Sequence, residues 1–412
     1  MDTLGYGDMV WQDVTEFRVR TAIYRDPAIF EAEMQKIFER TWIYIGHESE
    51  VEHPGDYRTG SIGRQPIIWS RGDDGQIHVL FNSCRHRGNA VCRAERGNSH
   101  FFQCPYHGWI YTNSGSLVGV TERGGYADGS LKDVSGLIKV PRVAVYRGLI
   151  FASLSPAGES IEEYLGPVRK YVDLWADRSP VGKVHVLRPH KFVYPGNWKF
   201  QVENGADGYH PNFVHESAFK TLEQFGLRNG SNRIPGEVGS SMGFDYGHCW
   251  LSGAYRQSMP QDLFKGYMES LAAQYGSERA QEVTKNRHIL LFPNVYLMDV
   301  NVRVIQPVSA DKTVVYSSYT RLEGVSDDVN RARLQDLQRR LGTTGFISPD
   351  DMEMFAANQT GMQASSMEWL ILSRGMNRER VHPSGEREAL YSDETPQRAI
   401  YREWDRLMNQ VR

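Results

Sequence analysis

Between residues 42 and 154, short apolar runs alternate with turns rich in glycine and aspartate. The runs contain many β-branched and aromatic residues, and a Gly-Asp-Asp-Gly turn at 72–75 separates two of them. This pattern is typical of antiparallel strands joined by tight turns. The predicted strands are residues 66–69, 77–81, 143–146 and 149–151. The sequence therefore predicts a small antiparallel β domain, which we expect to span residues 41–155.

The rest of the chain mixes strand-like runs with helical periodicity. Asp26 followed by Pro27 predicts the start of an N-terminal helix, and Ser326 predicts a helix that ends at Gly342. Thr395, followed by Pro396, is predicted to cap the last helix. The predicted strands are residues 184–187, 302–307 and 313–319. We therefore expect an α+β domain at 156–412, with an antiparallel sheet covered by helices in helix-grip fashion. A helical segment at 1–40 is expected to pack on it.

The composition excludes several classes of function. There are 47 lysines and arginines against 50 aspartates and glutamates, giving a net charge of −3, and no basic stripe points to nucleic acid. No apolar run approaches the roughly 18–20 residues that a membrane span needs. The N-terminus lacks a basic region followed by an apolar stretch, so we expect no signal peptide and a cytoplasmic location.

Two Cys–His pairs lie close together in the predicted β domain. Cys84 and His86 form the first pair, Cys104 and His107 form the second, and 17 residues separate them. The chain has only four cysteines but thirteen histidines, so half of the cysteines belong to this pattern. Two thiolates and two imidazoles on paired loops can hold either a zinc ion or a [2Fe–2S] cluster of the Rieske type.

The order of the ligands favours the iron–sulfur cluster. A Rieske cluster has two cysteines on one iron and two histidines on the other, so each loop offers one of each. Zinc sites more often group like ligands together, although zinc stays an alternative here. Gly88 and Gly108 follow the two pairs and would let backbone N–H groups approach bridging sulfides. Cys92 and Cys249 are expected to be ordinary core or loop residues.

A second group of ligand-type side chains lies between residues 203 and 215. Asp207 and His210 are three residues apart, which would place them on one face of a helix. His210 and His215 are five residues apart, so Pro211 must break or redirect the helix if both are to bind one metal ion. With one carboxylate from elsewhere they would form a 2-His-1-carboxylate site for non-haem Fe(II), which leaves positions open for O2.

The sequence at 345–353 offers a candidate for that carboxylate. Ser348 is predicted to cap a helix, with Pro349 as its first residue, and Asp350 and Asp351 follow in the first turn. Acidic residues in a first turn also interact favourably with the helix dipole without any metal. From these residues alone, a metal ligand and a simple helix-start residue are both open interpretations.

These motifs resemble those of one known family. The two Cys–His boxes look like the Rieske domain of aromatic-ring-hydroxylating oxygenases, and residues 203–215 look like the mononuclear-iron motif D-x2-H-x4-H of the same family. The sequence of residues 204–210 is similar to that of α subunits that act on benzoate, toluate and anthranilate. The sequence of residues 350–355 is similar to that of the helix that supplies the carboxylate ligand in this family. The resemblance runs from about Tyr24 to Leu407. It implies a Rieske domain at 41–155 and a catalytic domain at 156–412.

The resemblance implies a role for each candidate residue. It assigns four residues to the [2Fe–2S] cluster: Cys84, His86, Cys104 and His107. It assigns three residues to ferrous iron: His210, His215 and Asp351. Asp350 is left as a capping or surface residue. Asp207 would bridge to a cluster histidine of a neighbouring subunit and relay electrons, which would require a ring-shaped trimer. Asn204 is expected either near the iron or as a hydrogen-bonding turn residue.

One departure within the Rieske boxes concerns the redox potential. Rieske proteins of respiratory complexes carry two further cysteines that form a disulfide, and Asn89 and Tyr106 occupy those positions here. Without the disulfide we expect the low-potential, oxygenase type of cluster. Trp109 and Trp198 are expected to pack around the two metal sites.

The resemblance also implies the reaction and its partners. Electrons from NAD(P)H would reach the cluster through a flavin-containing reductase, in some members through a ferredoxin, and O2 would add to one face of an aromatic ring to give a cis-dihydrodiol. An α3 or α3β3 assembly with a small β subunit is expected. The substrate would be a small aromatic carboxylate such as a benzoate, anthranilate or salicylate. Arg303, on a predicted strand, is our hypothesis for the partner of that carboxylate, although strand arginines are more often at a surface.

Other functions stay open at this point. A Rieske monooxygenase, either a hydroxylase or an O-demethylase, would use the same metals. A Rieske electron carrier would explain the first motif but would leave the second motif and Asp351 without a role. A zinc-binding module with no redox role is the third alternative. Apolar walls of a substrate pocket are expected from residues 242–244 and 297–298 and from the helix after Asp351.

Overall fold

The structure, a computed structural model, describes residues 6–134, 136–226, 239–253, 259–342 and 345–410. The chain forms two compact units, one comprising Phe38–Ile161 and the other comprising Met1–Ile37 together with Glu162–Arg412. Across the described ranges, every helix is too short or too polar to cross a membrane.

The α-helices within the described ranges are α1 (Ala22–Arg25), α2 (Pro27–Glu33), α3 (Ile161–Leu165), α4 (Arg169–Ala176), α5 (Trp198–Asn204), α6 (Pro211–Val214), α7 (Glu216–Gln224), α8 (Gln261–Tyr275), α9 (Ser277–Thr284), α10 (Asp327–Leu341), α11 (Ser348–Gly361) and α12 (Thr395–Asn409).

The strands within the same ranges are β1 (Val10–Gln12), β2 (Phe17–Arg20), β3 (Ile43–His47), β4 (Asp56–Ile62), β5 (Gln65–Arg71), β6 (Ile77–Phe81), β7 (Arg96–Asn98), β8 (Phe101–Gln103), β9 (Ile110–Thr112), β10 (Leu117–Gly119), β11 (Arg142–Tyr146), β12 (Leu149–Ser153), β13 (Val184–Tyr194), β14 (Gly239–Gly243), β15 (Cys249–Gly253), β16 (Arg287–Leu291), β17 (Val295–Leu297), β18 (Asn301–Ser309), β19 (Lys312–Leu322), β20 (Trp369–Ile371), β21 (Arg380–Val381) and β22 (Arg387–Leu390).

The smaller unit consists of antiparallel sheets, as the alternation of short runs and turns predicts. Strands β6, β5, β4 and β7 form one sheet, β10, β9 and β8 form a second, and β11, β12 and β3 form a third. Its core includes Ile68 and Leu80 from the first sheet and Phe102 and Tyr111 from the second. The two Cys–His pairs lie at the ends of these sheets: Cys84 shortly after β6, and Cys104 in the loop that joins β8 to β9. The two loops are therefore attached to a rigid, buried core.

The larger unit is built on a nine-stranded antiparallel sheet. Its strand order is β13-β19-β18-β17-β16-β15-β14-β22-β21, and helices α5, α10, α11 and α12 pack on it. The three strands predicted in this half all form, within β13, β18 and β19. The prediction of an α+β fold with an antiparallel sheet covered by helices is confirmed.

The predicted helix starts are confirmed at two of four positions. The Asp26 carboxylate accepts a hydrogen bond from the Ala28 N–H at 2.7 Å, and Ser326 accepts one from Val329. At α12, by contrast, Thr395 is the first helical residue, and no side chain caps the helix start. At α11 the helix begins at Ser348 itself, one residue earlier than predicted. Such one-residue differences are ordinary at helix ends.

A buried ionic cluster holds the N- and C-terminal helices against α5. The Lys199 ammonium lies 2.6 Å from a Glu33 carboxylate oxygen, and both side chains are fully buried. The indole N–H groups of Trp198 and Trp404 donate to the same carboxylate at 2.8 and 2.7 Å. Trp198 therefore anchors α2 to α5, and it does not form the wall of a metal site that the sequence led us to expect. Because α5 ends at Asn204, this cluster fixes the starting point of the second motif.

Candidate functional site

Two loops of the same shape carry the Cys–His pairs. The Gly88 N–H donates to the Cys84 carbonyl at 2.8 Å, and the Gly108 N–H donates to the Cys104 carbonyl at 3.0 Å. Both glycines have φ of 72°, a left-handed backbone that other residues adopt only with strain. Each loop therefore turns back on itself and presents one thiol and one imidazole.

The two loops bring their four side chains together. Cys84 and Cys104 are buried, and the ring centroids of His86 and His107 lie 4.5 Å apart. The Trp109 ring stacks on His86 with its centroid 5.2 Å away, as expected for a residue next to the site. The Nδ1 atom of His86 is buried without a hydrogen-bond partner in the described part of the chain. An imidazole nitrogen left in this state has a lone pair available for a metal.

The spacing of these ligands separates a cluster from a single zinc ion. Ligand atoms of one tetrahedral zinc ion lie within roughly 4 Å of one another, because each bond is about 2.0–2.3 Å long. Among the described residues, no three Cys, His, Asp or Glu ligand atoms in these loops come within 4.8 Å of one another. Two thiols and two imidazoles that are set further apart fit a two-iron cluster.

Tyr111 lies directly beside one of the two thiols. Its hydroxyl oxygen accepts a hydrogen bond from the Arg85 N–H at 3.1 Å, which leaves the phenolic hydrogen free to point at the Cys84 sulfur, 3.2 Å away. Tyr111 is fully buried on β9. Sequence reasoning missed this residue because only the folded sheet brings β9 next to the first loop.

Replacing Tyr111 by phenylalanine should lower the reduction potential of the cluster. A hydrogen bond to a cluster sulfur stabilises the more negative, reduced state. A differential stabilisation of about 1–2 kcal/mol corresponds to roughly 40–80 mV for a one-electron couple. A redox titration followed by EPR measures this shift. Tyr126→Phe is the matched control, because Tyr126 packs on Trp109 and not on a cysteine. An unchanged potential in Tyr111→Phe would contradict the assignment.

The second motif follows an irregular path in the larger unit. Helix α5 ends at Asn204, residues 205–210 are not helical, and α6 and α7 meet at His215. The prediction that Asp207 and His210 share a helical face is therefore wrong. Pro211 does not break a helix between the two histidines, as we predicted it would, but is the first residue of α6. The helical path is interrupted instead at His215, between α6 and α7.

Gly205 lets the end of α5 pack closely against β17. A side chain at this position would lie 2.5 Å from the Tyr296 ring, so only glycine lets the end of α5 lie this close to β17. The Tyr296 hydroxyl donates to the Val202 carbonyl and closes the contact. The end of α5 is thereby fixed on the sheet directly before the two histidines.

Two histidines and a carboxylate meet beyond this point. The Asp351 Oδ1 atom lies 3.6 Å from His210 Nε2 and 3.2 Å from His215 Nε2, and one ligand atom from each residue lies within 4.8 Å of the others. His215 and Asp351 are buried. The Asn204 amide nitrogen is 3.2 Å from His210 Nε2 and donates to Asp351 Oδ1 at 3.1 Å. This donor set fits a 2-His-1-carboxylate iron site, with Asn204 at its edge.

Asp350 contacts the outer side of the same site. Its Oδ2 atom lies 3.3 Å from His215 Nδ1. An imidazole that donates from Nδ1 to Asp350 has its lone pair on Nε2, on the side of Asp351, where a metal ion can take it. Burial lowers the pKa of His215, but Asp351 and Asp350 outweigh this effect and raise it above the usual range. The expectation that Asp350 only caps a helix or faces solvent is therefore incomplete.

Replacing Asp350 by alanine should weaken iron binding and leave the cluster intact. Loss of a carboxylate behind a metal-ligating histidine typically costs 10–100-fold in metal affinity. Titration of the iron-depleted protein with Fe(II) against a chelator measures the affinity, and cluster absorbance serves as an internal standard. Glu353→Ala is the control, since Glu353 is exposed one turn further along α11. Equal Fe(II) affinity in the wild type and in Asp350→Ala would exclude this role.

Asp207 contacts the ring nitrogen of His210 that faces away from Asp351. Its Oδ2 atom is 3.1 Å from His210 Nδ1, and its Oδ1 atom accepts a hydrogen bond from the Tyr209 N–H at 2.7 Å. Burial raises the pKa of Asp207, but the interactions with His210 and the Tyr209 N–H outweigh it and hold the pKa below its usual range. A third of the Asp207 side chain stays exposed, so the carboxylate contacts His210 and reaches the surface of this unit.

A cavity of about 700 Å³, including its open mouth, borders the histidine pair and Asp351. Its apolar lining residues include Phe219, Leu251, Met298, Leu341 and Ile347. Met298 was among the expected walls, whereas Leu297, residues 242–244 and the helix after Asp351 do not line the cavity. The apolar walls suit one aromatic ring.

Arg303 supplies the cavity with a buried positive charge. It lies on β18 opposite Tyr296 and Ser317 and is 3% exposed. Its Nε atom has no hydrogen-bond partner, and the guanidinium lies over the Phe192 ring, 6.0 Å from the ring centroid, but forms no hydrogen bond or ion pair with any described residue. Burial lowers the pKa of Arg303, and the negative charge of Asp351 opposes that effect. Contrary to the usual position of strand arginines, this one is buried and lines the cavity, where it can bind an anion.

Comparison with known proteins agrees with these two sites. Residues 41–134 match the Rieske [2Fe-2S] domain, and residues 181–410 match the ring hydroxylating alpha subunit (catalytic domain). The chain is 36% identical to the 2-halobenzoate 1,2-dioxygenase large subunit of Burkholderia cepacia, over 87% of this chain and 80% of the relative. It is 34% identical to the anthranilate 1,2-dioxygenase large subunit of Acinetobacter baylyi, over 89% and 82%.

A solved structure is similar over nearly the whole chain. Naphthalene 1,2-dioxygenase from Rhodococcus sp., bound to indole, superimposes with a TM-score of 0.84 at 29% identity. The match covers 95% of this chain and 94% of the other. The similarity therefore extends over both units of this chain, and one chain of that dioxygenase contains counterparts of both.

Proposed function

The chain belongs to the family of ring-hydroxylating dioxygenase α subunits, which combine a Rieske [2Fe–2S] domain with a non-haem iron catalytic domain, and we propose that it dihydroxylates an aromatic carboxylate. The proposed substrates are benzoates, anthranilates or salicylates. In this proposal residues 41–155 hold the cluster, 156–412 carry out the reaction, and 1–40 pack on the catalytic part. The cluster ligands are Cys84, His86, Cys104 and His107, and the iron ligands are His210, His215 and Asp351.

The buried, unpaired guanidinium of Arg303 is the observation that carries the choice of substrate. An uncompensated buried charge costs several kcal/mol, so a protein rarely keeps one without a partner. Arg303 lines the same cavity as the two histidines and Asp351. A carboxylate on the substrate would supply the missing partner and form a two-pronged pair with the guanidinium.

The position of Arg303 also bears on which ring carbons react. When bound, the cluster supplies electrons, and ferrous iron activates O2 beside the ring. A carboxylate anchored next to Asp351 holds the carbon that bears it close to the metal ligands. We propose attack at that carbon and its neighbour, that is, at the 1,2-positions. Phe219, Leu251 and Ile347 pack around the ring and exclude water, while the Asn204 amide holds the Asp351 carboxylate in place.

The proposed role of Asp207 is to pass electrons towards His210 from a cluster histidine of a neighbouring subunit. The 3.1 Å contact with His210 and the partly exposed carboxylate support this role. The proposal therefore includes an α3 or α3β3 ring with a small β subunit. It also includes a reductase, with or without a ferredoxin, that draws on NAD(P)H, and a cytoplasmic location where that reductase operates.

Replacing Asp207 by alanine should keep both metal sites and abolish turnover. The reason is that the carboxylate links the two sites but is not a ligand in either. Iron and sulfide analysis measures the metal content, and single-turnover stopped-flow follows oxidation of the reduced cluster. Tyr209→Phe is the control, since it keeps the backbone N–H group from which Asp207 accepts a hydrogen bond. Electron transfer at the wild-type rate in Asp207→Ala would remove the relay.

Turnover of matched substrate pairs tests the proposed function. The purified oxygenase, supplied with a matched reductase and NADH, is given benzoate, anthranilate, salicylate and 2-halobenzoates, each beside the neutral amide or the unsubstituted ring. We expect cis-diols or their breakdown products from carboxylates only. Equal or better turnover of the neutral rings would argue against an aromatic carboxylate.

A further inference from the structure

Arg374 lies against the loop that carries Asp207. Its Cζ atom is 3.2 Å from the centroid of the Tyr209 ring, and Tyr209 stands between Asp207 and His210 in the sequence. At this distance the planar guanidinium stacks on the ring and is attracted by its negative face. Arg374 Nε is buried without a hydrogen-bond partner in the described part of the chain. The cation is therefore partly desolvated, which strengthens its attraction to the ring.

The backbone of Tyr209 connects this contact to the relay carboxylate. The Tyr209 N–H donates to Asp207 Oδ1 at 2.7 Å, and Asp207 Oδ2 lies 3.1 Å from His210 Nδ1. Residues 205–210 follow the end of α5 and are not helical, so a regular helix does not hold this stretch. A residue that fixes Tyr209 therefore also fixes the Asp207 carboxylate.

The other contacts of this loop hold Tyr209 less firmly. The Tyr209 side chain is 37% exposed, and the Phe213 ring, whose centroid lies 5.5 Å away, is itself 66% exposed. Gly208 packs so closely on the Tyr391 backbone that a side chain at position 208 would clash with the Tyr391 carbonyl oxygen. This contact fixes where the chain passes before Tyr209, but it does not fix the direction of the Tyr209 ring.

Arg374 is itself attached to a rigid part of the unit. Its N–H donates to a Glu394 carboxylate oxygen at 2.8 Å, and its carbonyl accepts from the Arg398 guanidinium at 2.8 Å. Arg398 is fully buried on α12 and forms an ion pair with Glu379. The backbone of Arg374 is therefore fixed at the start of α12, and its side chain reaches from there to the Tyr209 ring.

We propose that Arg374 is a positioning residue for the electron relay, because its stacking on Tyr209 keeps the Asp207 carboxylate against His210. This inference rests on the proposed role of Asp207 and adds a residue outside both metal sites. Arg374 is not among the described residues that line the cavity, so it has no direct part in binding the substrate.

The proposal predicts slower electron transfer with unchanged binding. Without the stacked cation, the exposed Tyr209 ring can turn into solvent and shift the Asp207 carboxylate relative to His210. Misplacing a reacting group by about 1 Å can lower a rate by about 100-fold. We expect Arg374→Met to slow electron transfer from the reduced cluster by about tenfold or more. The iron content and KM for benzoate should stay at the wild-type values.

Single-turnover stopped-flow of the complete oxygenase measures this rate. The reduced protein is mixed with O2 and benzoate, and the absorbance of the cluster reports its oxidation. Tyr209→Leu should slow the reaction as Arg374→Met does, and the double variant should be no slower than the slower single variant. Arg374→Lys should recover part of the rate, because an ammonium group is attracted by the ring but does not stack on it.

Two control variants should transfer electrons at the wild-type rate. Tyr209→Phe keeps the ring on which Arg374 stacks. Arg380→Met removes a nearby exposed arginine of β21, which tests whether the loss of any positive charge in this region slows the reaction. Cluster absorbance and iron analysis verify that every variant is folded and loaded.

The outcomes separate this inference from the proposed function. If Asp207→Ala loses electron transfer but Arg374→Met keeps the wild-type rate, the inference is wrong and the relay stands. If the effects of Arg374→Met and Tyr209→Leu multiply in the double variant, Arg374 does not act through Tyr209, and the inference is also wrong. Iron loss or a raised KM in Arg374→Met would assign the residue to the iron site or the cavity instead. Electron transfer at the wild-type rate in Asp207→Ala would remove the relay and the inference together.

Discussion

Replacing Asp351 by alanine is expected to remove the mononuclear iron and all oxygenase activity while leaving the Rieske cluster unchanged. Two histidines alone make a weak site for ferrous iron, because this type of site depends on the charge of its carboxylate. The variant should contain about two irons per chain where the wild type contains about three. Iron analysis, together with the absorbance and EPR spectra of the cluster, measures both quantities.

The neighbouring aspartate provides a matched control for this experiment. Asp350 lies in the same helical turn and contacts the outer nitrogen of His215, so Asp350→Ala should bind iron more weakly but regain it at high Fe(II). Asp351→Ala should not regain activity at any Fe(II) concentration. If the two variants behave alike, or if Asp351→Ala keeps the third iron, the carboxylate ligand has been assigned to the wrong residue.

Replacing Arg303 by methionine is expected to raise KM for every aromatic carboxylate by at least about 30-fold. Removing one partner of a buried, hydrogen-bonded charge pair typically costs 2–5 kcal/mol, which corresponds to this range. The effect should fall on acids alone, because a neutral ring makes no ion pair with the guanidinium. Steady-state kinetics give the KM for benzoate and the KM for benzamide in the wild type and in Arg303→Met.

Arg303→Lys separates charge from geometry at the same position. Lysine keeps a positive charge but lacks the planar fork, so it should recover part of the affinity for carboxylates. Methionine is of similar length and apolar, so it fills the buried position without an unpaired charge and should leave the fold intact. An unchanged KM for all aromatic acids in Arg303→Met would rule out carboxylate binding at this residue.

Much of the fold was predictable because its signals are local. Strands β5, β6, β11 and β12 could be predicted from their apolar runs and the tight turns between them. The two Cys–His pairs could be recognised from their spacing in the sequence. The exit from α5 also had a local signal, since Gly205 and Gly208 lie within four residues and glycine is a poor helix former. That signal argues against the helical face that the spacing of Asp207 and His210 suggested.

The contacts between distant residues were not predictable from the sequence. Tyr111 reaches the Cys84 sulfur only because the second small sheet packs beside the first loop. Asp350 and His215 are 135 residues apart, and their contact depends on where α11 lies over the histidine pair. The burial of Arg303 depends on which face of β18 is covered. Most of β18 is buried on both faces, so its sequence does not alternate between apolar and polar residues, and nothing in it marks the face that lines the cavity.

The most direct test of the central claim is the fate of isotopically labelled oxygen. The claim is that one chain joins a Rieske cluster, a two-histidine-one-carboxylate iron site and a carboxylate-binding cavity into a dioxygenase of aromatic acids. In a reaction with ¹⁸O₂, benzoate and a matched reductase, mass spectrometry should find both labelled atoms in one cis-diol that keeps the carboxylate. A product with one labelled atom, or none from any aromatic acid, would contradict the account.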